Sequence, residues 1–246
     1  MEVSQNNQFK PKTEILKWDS DFFGFKVSRI IFVENTDLKE NLKTLYANKS
    51  VLTYIFSKNK LDGDFLKNYN GNLVDIKIVF QKRTTNINID SDSLKNIKVY
   101  KNNYSKERMY QLAFLSGEFS RFNTDSNLPR SKFEELYRLW VDNSISGKLA
   151  SKVFVYIEER KIVGFTTLSI KDNFGEIGLI AVDKNYQGKS IGSKLIMKVE
   201  MYLYEKEIEY LRVSTQEANI NAIKFYKKNN FKVIEKMFIY HFWKIK

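Results

Sequence analysis

The chain has 246 residues, 43% apolar and 15% aromatic, enough to bury a sizeable core in one large domain or two small ones. It carries a formal charge of +12 and no cysteine, which excludes disulfides, thiolate metal sites and a cysteine nucleophile. No apolar run approaches the roughly 18 residues of a membrane span, and the polar start MEVSQNNQFKPK lacks a signal-peptide apolar region, so a cytoplasmic protein with no membrane partner is expected.

Residues 1–12 read as a flexible tail. Strand-like apolar runs follow at 27–33, 51–56 and 73–80, with a helical pattern at 38–47, and together they define an N-terminal α/β unit over residues 13–98. A second unit, residues 99–246, opens with helices near 106–119 and 132–143. Strands follow at 153–158, 162–170 and 177–182. Two last strands, 210–214 and 231–243, bracket a helix that begins at Asn219. With no internal repeat and no low-complexity linker, the expected class is α/β (α+β) with a mixed sheet.

The stretch from Ile177 to Leu203 carries the most chemistry. Leu179, Ile180, Ala181 and Val182 form a short apolar run suited to a buried strand, and turn residues break it from Asp183 to Gly188. Ile191, Leu195, Val199 and Leu203 then recur every four residues, one buried stripe on a helix of roughly 16 residues, about 24 Å long. A helix start exposes unsatisfied N–H donors and a partial positive charge, so an anion is favoured there. Gly188 and Gly192 let its oxygens approach the backbone, and Lys189 adds a full charge. A nucleotide P-loop is excluded, because its G-x-x-x-x-G-K-S pattern needs a glycine where Asp183 stands.

Gln187-Gly188-Lys189-Ser190-Ile191-Gly192 resembles the Q/R-x-x-G-x-G/A acyl-CoA pyrophosphate loop of the GCN5-related N-acetyltransferases, with Ser190 in place of the first motif glycine. Downstream, Asn219, Ala222, Phe225, Tyr226 and Phe231 match the spacing of that family's N-x-x-A-x-x-F-Y-x-x-x-G-F signature. Asn230 stands for its glycine, a mild change because asparagine tolerates a left-handed C-cap. The resemblance implies acyl-CoA as co-substrate, no metal, and a mostly antiparallel mixed sheet with flanking helices. Its central strands would splay after the segment matching Leu179, Ile180, Ala181 and Val182, whose exposed edge pairs with the pantetheine arm. A backbone N–H near Ile180 to Val182 would polarise the thioester carbonyl, an effect of about 3 kcal/mol.

The same resemblance extends the donor site to Ser193 beside the loop. Asn219 caps its helix or bonds the pantetheine amides, and Ala222 keeps that face small. Tyr226 is the candidate general acid that protonates the departing thiolate, and Lys228 is placed to reach a CoA phosphate. An amine must be neutral to attack. Glu176, just before the central strand, is the candidate base, with solvated surface charge as the competing role.

Three further segments, Trp18-Asp19-Ser20-Asp21-Phe22-Phe23-Gly24-Phe25, Ser120-Arg121-Phe122 and Leu136-Tyr137-x-Leu139-Trp140, resemble the dTDP-fucosamine acetyltransferase subgroup of that family. The implied acceptor is a dTDP-linked amino-dideoxyhexose, acylated at C3 or C4 with an acetyl or short hydroxyacyl group for a bacterial surface glycan such as an O-antigen. Trp18, Phe22 and Phe23 suit stacking on thymine or on a 6-deoxy sugar, or equally a packing cluster. Arg121 suits the diphosphate, and His241, the single histidine, is a base or substrate contact or a structural residue. A homodimer is compatible with this subgroup.

Three alternatives stay open: a related enzyme acting on a protein N-terminus, a polyamine or an antibiotic; a CoA-binding regulatory module; and a basic nucleic-acid binder. The last is disfavoured. Residues 184–246 hold thirteen basic and six acidic side chains, which places much of the excess charge where polyanionic CoA would sit, and no nucleic-acid signature accompanies it.

Overall fold

Apolar periodicity and short turn segments divide the chain into alternating strands and helices, which the computed structural model describes for residues 12–31, 38–86 and 91–244. The expected tail up to residue 11 and the strand end expected at 32–33 lie outside the described residues. The elements form two compact units, residues 1–77 with 236–246, and residues 78–235.

The N-terminal unit comprises β1 (Lys12–Ile15), α1 (Lys17–Phe23), β2 (Val27–Ile31), α2 (Leu38–Ala47), β3 (Leu52–Ser57), α3 (Gly63–Asn68) and the first part of β4 (Gly71–Arg83). Its strand order is β1-β2-β3-β10-β4, where β10 (Lys232–Trp243) is the last strand of the chain. β2 and β3 run parallel, and β10 returns antiparallel to β3 from Phe238↔Ser57 to Trp243↔Leu52. Helix α2 buries Leu38, Leu42 and Leu45, one helical stripe, against Ile30, Ile55, Tyr240 and Phe242.

The C-terminal unit continues with β5 (Ile97–Val99), α4 (Lys106–Ser116), α5 (Arg121–Thr124), α6 (Arg130–Ile145), β6 (Lys152–Glu158), β7 (Lys161–Lys171), β8 (Phe174–Val182), α7 (Ile191–Tyr204), β9 (Tyr210–Gln216) and α8 (Ile220–Lys228). Strand order is β4-β9-β8-β7-β6-β5. Neighbours from β5 to β8 are antiparallel, while β8 and β9 are parallel, so the sheet is mixed as expected. The predicted stripe on α7 is buried in full: Ile191, Leu195, Val199 and Leu203 join Ile177, Leu211, Val213 and Phe231 in one core. Truncating Leu195 there would cost about 3 kcal/mol.

The boundary between units differs from the expected 98/99. Ile78 and Phe80 of β4 enter the core of the C-terminal unit, which moves its start to Ile78. Residues 236–246 belong instead to the N-terminal unit, because the second half of β10 pairs with β3.

Candidate active site

The site begins with an irregularity in β8. Leu168 of β7 faces Ile177, but Thr166 faces Ile180, so Gly178 and Leu179 together oppose Thr167. This extra residue is a β-bulge, and Thr167 Oγ1 stabilises it by accepting the Leu179 N–H at 2.9 Å. A Cβ on Gly178 would lie 3.1 Å from that same oxygen, tighter than ordinary contact. A bulge bends and twists its strand. Accordingly β8 and β9 pair only from Phe174↔Tyr210 to Ile177↔Val213, although β8 runs on to Val182 and β9 to Gln216. The strands therefore part at Gly178, five residues earlier than the resemblance implied, because the bulge has already turned β8 aside.

Beyond the parting, backbone alternation decides which groups are presented. The Asp183 N–H donates to Val163 O of β7 at 2.8 Å, so with the register Gly164↔Val182 and Phe165↔Ala181, Ala181 also faces β7. The polar groups of Ile180 and Val182 point the other way, along the edge that β9 has left. Leu179 and Ala181 are thus withdrawn from that edge by Thr167 and β7. Gln187 closes its far end by donating from Nε2 to Val182 O at 3.1 Å.

The edge leads into the turn before α7. Gly188 and Ser190 both adopt the left-handed conformation, with φ of +79° and +60°. For Ser190 this costs about 1 kcal/mol, and its side chain makes no capping bond to the helix it precedes. Asp183 anchors the start of the turn: one carboxylate oxygen accepts the Asn185 N–H at 2.8 Å and the other pairs with the Arg108 guanidinium, which also donates from Nε to Ile162 O at 2.9 Å. Arg108, and then the Asn185 N–H, hold the Asp183 carboxyl below the usual carboxylate range. Lys189 is exposed, 4.9 Å from the Tyr186 ring and 3.9 Å from Glu158 Oε1. Gly192 is required for packing, since a Cβ there would lie 2.9 Å from the Phe225 ring of α8. Ser193 follows it, half-buried, in the first turn of α7.

Helix α8 contributes the second group of residues. Asn219 Oδ1 caps it by accepting the Ala222 N–H at 3.0 Å. At its end Asn230 has φ +65°, with Asn230 N–H bonded to Lys227 O and Phe231 N–H to Tyr226 O at 3.1 Å each, a Schellman closure in which asparagine replaces the usual glycine. Tyr226 is buried among Phe80, Phe225 and Phe231 at centroid distances of 5.4, 5.3 and 5.7 Å, and this burial pushes its phenol well above the ordinary tyrosine value. Ile180, Val182, Ala222 and Phe225 all border the core that holds Tyr226, so both motifs converge on one place.

Residues 106–231, just over half of the chain, match the model of the acetyltransferase (GNAT) family. The chain belongs to this family. It is 25% identical over 137 residues to the spore coat polysaccharide biosynthesis protein SpsD of Bacillus subtilis, covering 56% of this chain and 47% of that protein. Over 111 residues it is 28% identical to streptothricin acetyltransferase A of the same organism, covering 44% and 63%. The chain thus spans about half the length of the first of these relatives. Among solved structures, a conserved protein of unknown function from Staphylococcus epidermidis is similar over 94% of this chain and 90% of its own, with a TM-score of 0.63 at 12% identity. A GCN5-related N-acetyltransferase from Sphaerobacter thermophilus is similar over 93% and 75%, with a TM-score of 0.57 at 13% identity. These likenesses extend the shared fold to nearly the whole chain.

Glu176 lies one residue before the last β8–β9 pair, beside Arg212 in register, with its carboxylate bound to Lys171. Lys228 is exposed in the last turn of α8. Arg121 opens α5, half-buried, with its guanidinium 4.3 Å from the Phe122 ring. In the N-terminal unit, Trp18 is 52% exposed and stacks on Phe22 at 5.1 Å, followed by Phe23, Phe25 and Trp243 in an aromatic ladder. Phe23 and His241 are interior, His241 lying 4.8 Å from Tyr54. Only Trp18 of this group offers a broad apolar surface to solvent.

Sequence reasoning missed Thr167, Arg108 and Asp183. Gly178, alone inside an apolar strand pattern, is the signal that announces a bulge and hence Thr167. The Arg108–Asp183 pair spans 75 residues and leaves no local trace. Among the described residues no group of three or more His, Cys, Asp or Glu is arranged to hold a metal, and no helix is long and apolar enough to cross a membrane.

Proposed function

We propose that the protein transfers an acyl group from CoA to the primary amine of a nucleotide-linked amino sugar, a dTDP-amino-dideoxyhexose acylated at C3 or C4, for a surface polysaccharide. The parting of β8 and β9 at Gly178, with an unpaired edge that leads straight to the α7 N-terminus, carries the donor half of this reading. Residues 178 to 182 span about 13 Å of strand, room for the extended pantetheine arm. The pyrophosphate then lies at residues 187–193, on the backbone N–H groups, the Ser190 hydroxyl and Lys189. Asn219, already committed through Oδ1, keeps its Nδ2 donors for the arm, and Lys228 meets a phosphate.

The chemistry follows from that placement. The thioester lies near the parting, where the outward N–H of Ile180 or Val182 donates to the carbonyl oxygen as it becomes an oxyanion. Glu176 takes a proton from the attacking ammonium, directly or through water, and the neutral amine forms the new C–N bond. The C–S bond breaks as the intermediate collapses, the second proton shed by the attacking nitrogen passes through water to the departing sulfur, and Tyr226 donates a hydrogen bond to that sulfur as it leaves. Support for the acceptor comes from the polysaccharide-biosynthesis relative and from Arg121 as a diphosphate partner. The streptothricin-acetylating relative favours a second reading, an antibiotic acceptor.

Mass spectrometry of products from acetyl-CoA with dTDP-3- and dTDP-4-aminosugars, streptothricin and spermidine tests the assignment. An N-acetylated dTDP-sugar formed in preference to the others is expected. Preferred acetylation of streptothricin or spermidine would overturn the sugar reading.

A further inference from the structure

On β9 the buried Leu211, Val213 and Thr215 alternate with half-buried Arg212, Ser214 and Gln216. Leu211 and Val213 enter the core beneath α7, so Arg212, Ser214 and Gln216 project from the opposite face of the sheet. Arg212 is held there on two sides. Its Nε donates to Gln81 Oε1 at 2.7 Å, and its guanidinium lies 3.9 Å from the Phe174 ring centroid. These contacts fix the plane of the fork and use one of its five N–H donors. Among the described residues no carboxylate pairs with Arg212; its in-register neighbour Glu176 is bound to Lys171 instead. A stacked, oriented arginine with its remaining donors unassigned is built to receive a planar or tetrahedral oxyanion.

Its position gives that property a purpose. Arg212 precedes Val213, the last residue of β9 to pair with β8, and so stands about 3.3 Å along the strand from the parting. Glu176 is across from it, one residue before the same point on β8. We propose that Arg212, braced by Gln81 and Phe174, binds an oxyanion of the acceptor while Glu176 faces the amine. The Glu176 carboxylate repels an anion and attracts an ammonium, and Arg212 does the reverse, so the pair orients an acceptor that carries both groups a few ångströms apart. A sugar-linked diphosphate and the carboxylate of an amino acid share this chemistry. The inference rests on the acyl-transfer reading and adds the acceptor's required charge.

The test combines kinetics with a binding measurement that needs no turnover. For Arg212→Met, the KM for an oxyanion-bearing acceptor should rise about tenfold or more, with the KM for acetyl-CoA and for an uncharged amino sugar changed by less than about twofold. Arg212→Lys should recover part of the loss, because a point charge replaces the fork. Comparing a dTDP-aminosugar with a free amino acid tells which oxyanion is used. By calorimetry, with saturating desulfo-CoA occupying the donor site, dTDP or a simple carboxylate should bind wild type and lose about tenfold in affinity for Arg212→Met. Equal losses for charged and uncharged acceptors, or anion binding indifferent to residue 212, would overturn the proposal. If uncharged amines are acylated and no oxyanion binds, the anchor fails and the transferase reading stands; if anion binding depends on Arg212 but no amine is acylated, the reverse holds.

Discussion

Tyr226, proposed above to meet the leaving thiolate, shows how burial limits what a phenol can do there. Its aromatic surroundings raise the phenol above the ordinary tyrosine value, whereas a thiol normally ionises near pH 8.5. The phenol is therefore the weaker acid, and complete proton transfer to a thiolate runs uphill. In the proposed reaction its contribution is a hydrogen bond to negative charge building on sulfur, worth most at the moment the C–S bond breaks. Tyr226→Phe is accordingly expected to lower kcat about 10²-fold while leaving the KM for acetyl-CoA unchanged. The alkaline limb of the kcat profile should not move, since a desolvated phenol stays protonated through that range. A shifted limb, or near-normal turnover, would remove Tyr226 from the reaction. Resemblance to the family signature pointed to this residue and to Asn219. The spacing carried no trace of the packing that sets its acidity, because Phe80 lies 146 residues away in the chain.

At the scale of elements, α7 and the strand before it were legible because four buried positions repeat at helical spacing and a short apolar run precedes them. Helices α1 and α3 were not, as six or seven residues do not display a helical period. The bulge in β8 also escaped, since one inserted residue leaves the apolar run intact while moving the parting to Gly178. The turn that follows depends on the Arg108–Asp183 pair, and its pH dependence has a definite sign. Asp183 has a depressed folded pKa, so its contribution is complete above the unfolded value near pH 4 and is lost as pH falls through the folded one. Asp183→Asn should cost about 2 kcal/mol by urea denaturation at neutral pH. The gap from wild type should hold down to about pH 4 and narrow below it. A gap that persists in acid would mean the carboxylate acts through shape rather than charge.

Across the molecule, the α/β class and nearly every strand of the C-terminal unit could be read from apolar patterning, while the unit boundary could not. The run at 231–243 is one strand by pattern, yet its second half pairs with β3, some 180 residues away, and pairing partners leave no periodic signal. The proposed donor site lies wholly within residues 78–235, so its response to ligand can be followed in that unit. Residue-resolved amide hydrogen exchange, with and without saturating CoA, tests the central claim that the parted edge of β8 receives the cofactor arm. Slowed exchange is predicted at Ile180 and Val182 and at residues 188–193, with the Leu179 amide, already bonded to Thr167, changed little. Protection elsewhere, with Ile180 and Val182 exchanging as in the free protein, would contradict it.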